Sequence, residues 1–244
     1  MEKQSIKAEI LCDSIERVGN NRITTFKLTY PRMIHSELLT HAMLKSNSAS
    51  SRAIPFKRMV EMVEQDPFIP IAWQKNHSGM QGEEYISDDK ELESCKRAWL
   101  RARDNALANA RNLNHHSLYS SEGKLMNDIK VTKQLCNRLL EPFMWHTIIC
   151  TGTEFENFFA LRAHPMAEIH LQDLAYKMLD AMNNSTPKEL KEGEWHIPHL
   201  EQIETEEFGR FLIQKNEKEN ATDFSYNTLL KWEESKKIKI STAI

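Results

Sequence analysis

The run from Asp88 to Asn112 constrains the fold most. It is rich in Ala, Leu, Lys, Arg and Glu, and it predicts one long helix. Two strand-like stretches precede it, Lys7–Cys12 and Ile23–Tyr30, with Val18-Gly19-Asn20-Asn21 as the turn between them. Pro31 suits the first turn of a helix whose apolar stripe is Ile34, Leu38, Leu39 and Met43. Phe56 to Glu64 reads as a short helix stopped by Asp66-Pro67, and 67–82 as an irregular loop carrying Trp73 and Met80. Further helices are expected from near Asn127 through Arg138 to about Leu140, over Phe155–Leu161, and over Ala167–Met182. The charged C-terminus predicts helices near Thr205–Lys215 and Asn227–Lys237. The chain thus divides into a domain over 1–200 and a charged helical extension over 201–244 that ends at the start of a strand.

At 244 residues the chain can bury a real core, in one or two domains. Net charge is −3 with acids and bases interspersed, so no polybasic nucleic-acid tract exists, and the lysines from Lys231 to Lys239 read as a solvated helix end. No apolar run is long enough for a membrane span, and no secretory leader is evident. The four cysteines, Cys12, Cys95, Cys136 and Cys150, lack C-x-x-C spacing and read as reduced cytoplasmic thiols. None sits in a P-C-H-type context that would make it a nucleophile toward a pyrimidine ring. His115-His116 and His196-x-x-His199 are the close histidine pairs, and neither has a convincing third ligand, so no metal is expected.

Three segments carry candidate chemistry. His41-Ala42-Met43-Leu44-Lys45-Ser46-Asn47-Ser48-Ala49-Ser50-Ser51-Arg52-Ala53 runs from a helix into a loop of small polar residues ending in arginine. Such a loop offers approachable N–H groups, hydroxyls and a guanidinium to a phosphate, though Ser/Asn-rich loops are mostly plain turns. Arg138 and Arg162 are single charges in apolar sequence, expected to be buried. Each must be paired, with an acid such as Glu141 or Glu154, must snorkel, or must serve as a planar donor to a phosphate or a pyrimidine carbonyl.

These segments resemble the flavin-dependent thymidylate synthases. Their signature H-R-x-x-S-x-N-E-x-S-x-R-Y is matched by His41, Asn47, Ser50 and Arg52, with Ala42, Lys45, Ser48 and Ala53 as departures. An R-x-x-L-P-like segment is met by Arg138-Leu139-Leu140-Glu141-Pro142, with Glu141 where Leu is usual. N-x-x-x-L-R-x-x-x-x-A-Q-x-E-I is met by Asn157 to Arg162 and Ala167, with Glu168 in place of Gln and His170 in place of Glu. Asn137-Arg138-Leu139-Leu140-Glu141-Pro142-Phe143, Gly193-Glu194-Trp195-His196-Ile197-Pro198, the run 50–55 and Gly79-Met80-Gln81 resemble the bacteriophage branch.

The resemblance implies an α+β fold, helix-rich with a small antiparallel sheet, and a homotetramer with active sites between subunits. It implies methylation of dUMP, with methylenetetrahydrofolate as carbon donor and FAD, reduced by NADPH, as hydride source. Ser50, Arg52 and Arg138 would bind dUMP. Arg162 would contact the uracil ring and act as the catalytic residue, stabilising charge that develops at hydride addition. His41 and Asn157 would contact FAD, and Lys45, one turn after Ala42, would replace a cation lost there. Asn47 would shape the loop.

A family A-R-V-S-Y-like strand and an H-x-x-P-x-E-H segment are not found. The expectation is a split or truncated enzyme completed by a C-terminal polypeptide, working in the cytoplasm, that of the host if phage-encoded. The alternatives are a dUMP hydroxymethylase and a non-catalytic nucleotide-binding or assembly subunit.

Overall fold

The computed structural model describes residues 3–79, 82–119 and 125–198. Strands β1 (Lys7–Glu16) and β2 (Arg22–Pro31) form an antiparallel hairpin with a bulge between Ile10 and Cys12. Asn20 closes its turn at φ 54°, a left-handed conformation that Asn tolerates. A 3-10 turn over Arg32–Ile34 leads to helix α1 (His35–Leu39), and strand β3 (Lys45–Ser48) follows. Helix α2 is Phe56–Gln65. Helix α3 spans Asp89–Asn114, and Asp88 caps it by accepting from Lys90 and Glu91 N–H at 3.0 Å each.

A second hairpin, β4 (His116–Tyr119) and β5 (Leu125–Ile129), precedes helix α4 (Lys133–Arg138). Glu141–Phe143 is a 3-10 turn, and β6 is Trp145–Gly152. Helices α5 (Glu156–Arg162) and α6 (Ile169–Asn183) lead to β7 (Lys188–Leu190).

The main sheet has five strands in the order β3-β6-β2-β1-β7. Its pairs are antiparallel except β1 with β7, which is parallel. The fold is α+β, as expected, and the parallel edge pair makes the sheet mixed. One face packs on α5 and α6 through Phe26, Leu28, Tyr30, Ile148, Leu171, Leu174 and Met178. A second core joins α2, α3 and the α4 region through Met59, Val63, Leu107, Leu140 and Phe143. Phe26 is fully buried, edge-on to Phe155 at 5.6 Å. Phe26→Ala should lower unfolding free energy by about 3–5 kcal/mol, read from the urea midpoint.

Three sequence expectations are corrected. The helix after Pro31 is short, and Leu39 and Met43 lie exposed beyond its inward pair, Ile34 and Leu38. The helix expected from Asn127 is strand β5 up to Ile129 and becomes helical only at Lys133, where Thr132 accepts from Gln134 N–H at 3.1 Å. Strand β6 was not anticipated. It lies between β3 and β2, and its residues alternate between buried and half-buried. The helices expected in the extension, with the rest of 201–244, lie outside the described residues, as do Met80 and Gln81.

Candidate functional site

The polar segment after α1 is strand as well as loop. Lys45 to Ser48 pair with β6, so exposed Asn47 faces Ile149 in register. The chain then turns. Ser50 O accepts from Ala53 N–H at 2.8 Å, and Ser50 Oγ accepts from Arg52 N–H at 3.3 Å. The turn is laced onto α4. Asn137, fully buried, donates its amide to Ser51 O at 2.7 Å and to Ile54 O at 2.9 Å. Lys133 Nζ donates to Ala53 O at 3.0 Å, and Arg52 Nε to Gln134 Oε1 at 3.0 Å.

Arg138 is exposed, which corrects the expectation of a buried guanidinium. Cys136, Asn137 and Leu140 take the inward positions of this short helix, so Arg138 faces out with Leu135 and Leu139. Among the described residues the Arg138 side chain has no hydrogen bond or ion pair. Gln134 and Arg138 are one helical turn apart. Ser50, Arg52, Lys133 and Arg138 therefore gather around one exposed surface, and among the described residues no ion pair neutralises its cations. Lys133 and Asn137 were not singled out from the sequence. The signal was the cap residue Thr132, which marks the true start of α4.

The other candidates form a second group. Arg162, half-buried, donates from Nε to His41 Nε2 at 2.9 Å, and its NH1 lies 3.9 Å from Glu37. Neither of the acids expected to pair with the two arginines does so. The His41 ring stands edge-on to Phe158 at 4.9 Å. Burial, and next the Arg162 charge, hold the His41 pKa below its ordinary value. The neutral ring is the state that accepts from Arg162. The side chains of Lys45 and Asn157 are exposed and without hydrogen-bond partners among the described residues.

No hydrogen bond or ion pair among the described residues joins the two groups. Strand β3 separates them, roughly 10 Å from Lys45 to Ser48 at strand rise. Among the described residues Arg52, Arg138 and Arg162 share no hydrogen-bond or ion-pair partner.

A buried network missed from the sequence lies beside the first group. Ser51, nearly buried, donates its hydroxyl to Glu141, and Glu141 faces Arg32 Nε at 4.0 Å. Arg32 NH1 lies 3.0 Å from His146 Nε2, so that nitrogen accepts. His146 stands edge-on to His35 at 4.6 Å, and His35 Nδ1 lies 2.7 Å from Tyr30 Oη. Burial first, then Arg32, pushes His146 down to about 3 and His35 down to about 4. The sequence signal was parity, since His146 shares the inward face of β6 with Ile148 and Cys150.

Two departures from the resembled motif have structural roles. Glu168 caps α6, accepting from His170 and Leu171 N–H at 2.9 Å each. His170 holds Glu168 at 2.5 Å and accepts Ile71 N–H at 3.1 Å. His196 anchors its segment to the other sheet face, 2.9 Å from both Thr25 and Ser14. Among the described residues no group of three His, Cys, Asp or Glu side chains is placed to hold a metal. No described helix is long and apolar enough to cross a membrane.

No protein-family model matches the chain, and no curated protein matches it. Solved structures do. The UMP/dUMP methylase PolB from Streptomyces cacaoi bound with 5-Br UMP superposes with a TM-score of 0.56 at 15% identity, covering 74% of this chain and 89% of that one. The chain shares that fold. The same methylase bound with 5-Br dUMP gives 0.56 and 15%, covering 75% and 92%. Flavin dependent thymidylate synthase ThyX from Helicobacter pylori complexed with FAD and dUMP gives 0.39 and 20%, covering 66% and 67%.

Proposed function

We propose that the chain modifies dUMP, by flavin-dependent methylation to dTMP with methylenetetrahydrofolate as carbon donor and NADPH as reductant. The observation that carries this reading is the laced 50–54 turn with Arg52, Lys133 and Arg138 around it, an exposed cationic surface suited to a nucleotide phosphate. The fold of a UMP/dUMP methylase supports the same substrate class.

Ser50 and Arg52 would bind the phosphate, with Arg138 beside them. Arg162 uses some of its five N–H donors on His41 and keeps others for a uracil carbonyl. A guanidinium there would stabilise negative charge developing on the ring. Lys45 and Asn157, exposed and uncommitted, with His41, fit an anionic flavin dinucleotide by donor chemistry. FAD, when bound, supplies the hydride. The separation of the two groups fits a site assembled between copies of the chain in an oligomer.

That separation also favours a second reading, a nucleotide-binding subunit without catalysis. Visible absorbance of the purified chain, with FAD and then dUMP added, decides between them. A bound-flavin spectrum that responds to dUMP is the expected result. A colourless protein that still binds dUMP supports the second reading, and failure to bind either ligand overturns both.

A further inference from the structure

The 50–54 turn carries the proposed phosphate ligands, yet an exposed turn of small residues has little to hold it in one shape. Something inside must set it. Backbone carbonyls of the turn are held from α4 by Asn137 and Lys133. Its inward side chain, Ser51, is held by a single acceptor, Glu141. That carboxylate also stands against Arg32, which continues inward to His146. A charge-assisted bond of this kind is stronger than a neutral one and fixes direction. Removing its acceptor leaves a nearly buried hydroxyl and a half-buried guanidinium without their acid, a costly arrangement that favours rearrangement of the turn.

A carboxylate so near a phosphate site would ordinarily repel the ligand. Here its charge is engaged from two sides, by the Ser51 hydroxyl and the Arg32 guanidinium.

We propose that Glu141 is a positioning residue, holding Ser51 and Arg32 so that Ser50 and Arg52 present a preformed cradle to the 5′-phosphate. This rests on the nucleotide reading given above for the same surface. Glu141 does not touch the ligand and acts through Ser51.

The test uses the full chain with Glu141→Ala, Glu141→Gln and Ser51→Ala, and two readouts. Amide exchange of residues 50–54 reports the shape of the turn without any ligand. Affinities for dUMP and for deoxyuridine, which lacks the phosphate, report its use. Glu141→Ala and Ser51→Ala should speed exchange about tenfold and weaken dUMP about tenfold, leaving deoxyuridine unchanged. Glu141→Gln keeps an acceptor for Ser51 and should restore exchange to within about threefold of the parent.

Unchanged exchange in a folded Glu141→Ala chain overturns the proposal. Faster exchange with unchanged dUMP affinity also overturns it, since Glu141 would then be merely structural. Should Glu141→Ala fail to fold, Ser51→Ala decides, because it deletes only the hydroxyl. If the parent binds no dUMP but exchange responds as expected, the nucleotide reading fails while the anchoring of the turn by Glu141 stands.

Discussion

Between about pH 6.5 and 4 the protein should lose several kcal/mol of stability, and His146 is the main cause. His146 is 3% exposed, and its Nε2 already accepts from Arg32. A second proton would set a buried cation against a guanidinium, which is why its pKa falls to about 3. His35 falls to about 4 for the same two reasons, burial and Arg32, although Glu141 pulls it upward. An unfolded histidine titrates near 6.5, so the unfolded chain binds protons first as the pH drops. Stability is therefore full above about 6.5 and declines until the folded pKa values are reached. Each tenfold change in proton affinity is worth about 1.4 kcal/mol, so the pair together costs on the order of 5 kcal/mol by pH 4. That is comparable to the whole stability of many domains.

His41 and His196 are also held down by burial and act in the same window. The carboxylates act elsewhere. Asp13 and Glu168 resist the upward push of burial through their hydrogen bonds, Asp13 with Arg22, Ser185 and Thr24, and Glu168 with His170 and backbone N–H groups. Both are held below the usual carboxylate range, so their contribution is lost only below about pH 4. Urea unfolding at several pH values checks this. His146→Gln keeps an acceptor for Arg32 and cannot titrate, so its stability should fall less steeply between pH 6.5 and 4. Parallel slopes for the two proteins would remove His146 from the account.

Local pattern carried much of the fold. The hairpin of β1 and β2, helix α3, α2, and the pair α5 and α6 were all legible from residue pattern with turn and stop signals. Strand β6 was not, because Trp-His-Thr-Ile-Ile-Cys-Thr-Gly is a short run whose character is set by distant partners. Its neighbours β2 and β3 lie about a hundred residues earlier in the chain. The same limit applies to the site. His41, Ser50, Arg52 and Arg162 were singled out through the resemblance of their segments to the flavin-dependent thymidylate synthases, but not the pairing of Arg162 with His41, 121 residues apart. Arg138 was misjudged because apolar neighbours in sequence were taken for neighbours in space. On a short helix, Leu135 and Leu139 face solvent beside it.

Two inactive variants should restore activity when mixed, if the proposed site is built between copies of the chain. Arg162→Ala damages the group around His41, and Arg138→Ala the group around the 50–54 turn. Each alone should lower kcat/KM by about a hundredfold or more, Arg162→Ala by removing a charged donor from a developing anion and Arg138→Ala by removing a charge-assisted contact to the phosphate. In a randomly mixed oligomer, a site drawing one group from each of two chains finds both intact in about one case in four. The mixture should thus recover about a quarter of the parent rate after the two variants are unfolded and refolded together. The apolar residues near the second group favour such an interface. Leu39 and Met43 bracket His41, and Leu161 and Met166 bracket Arg162, and all four are more than half exposed. A mixture as inactive as its parts would mean that each site draws both groups from one chain. One dUMP would then bridge the two groups, phosphate at the 50–54 turn and base at Arg162, and amide exchange on the intervening Lys45 to Ser48 should slow upon dUMP addition.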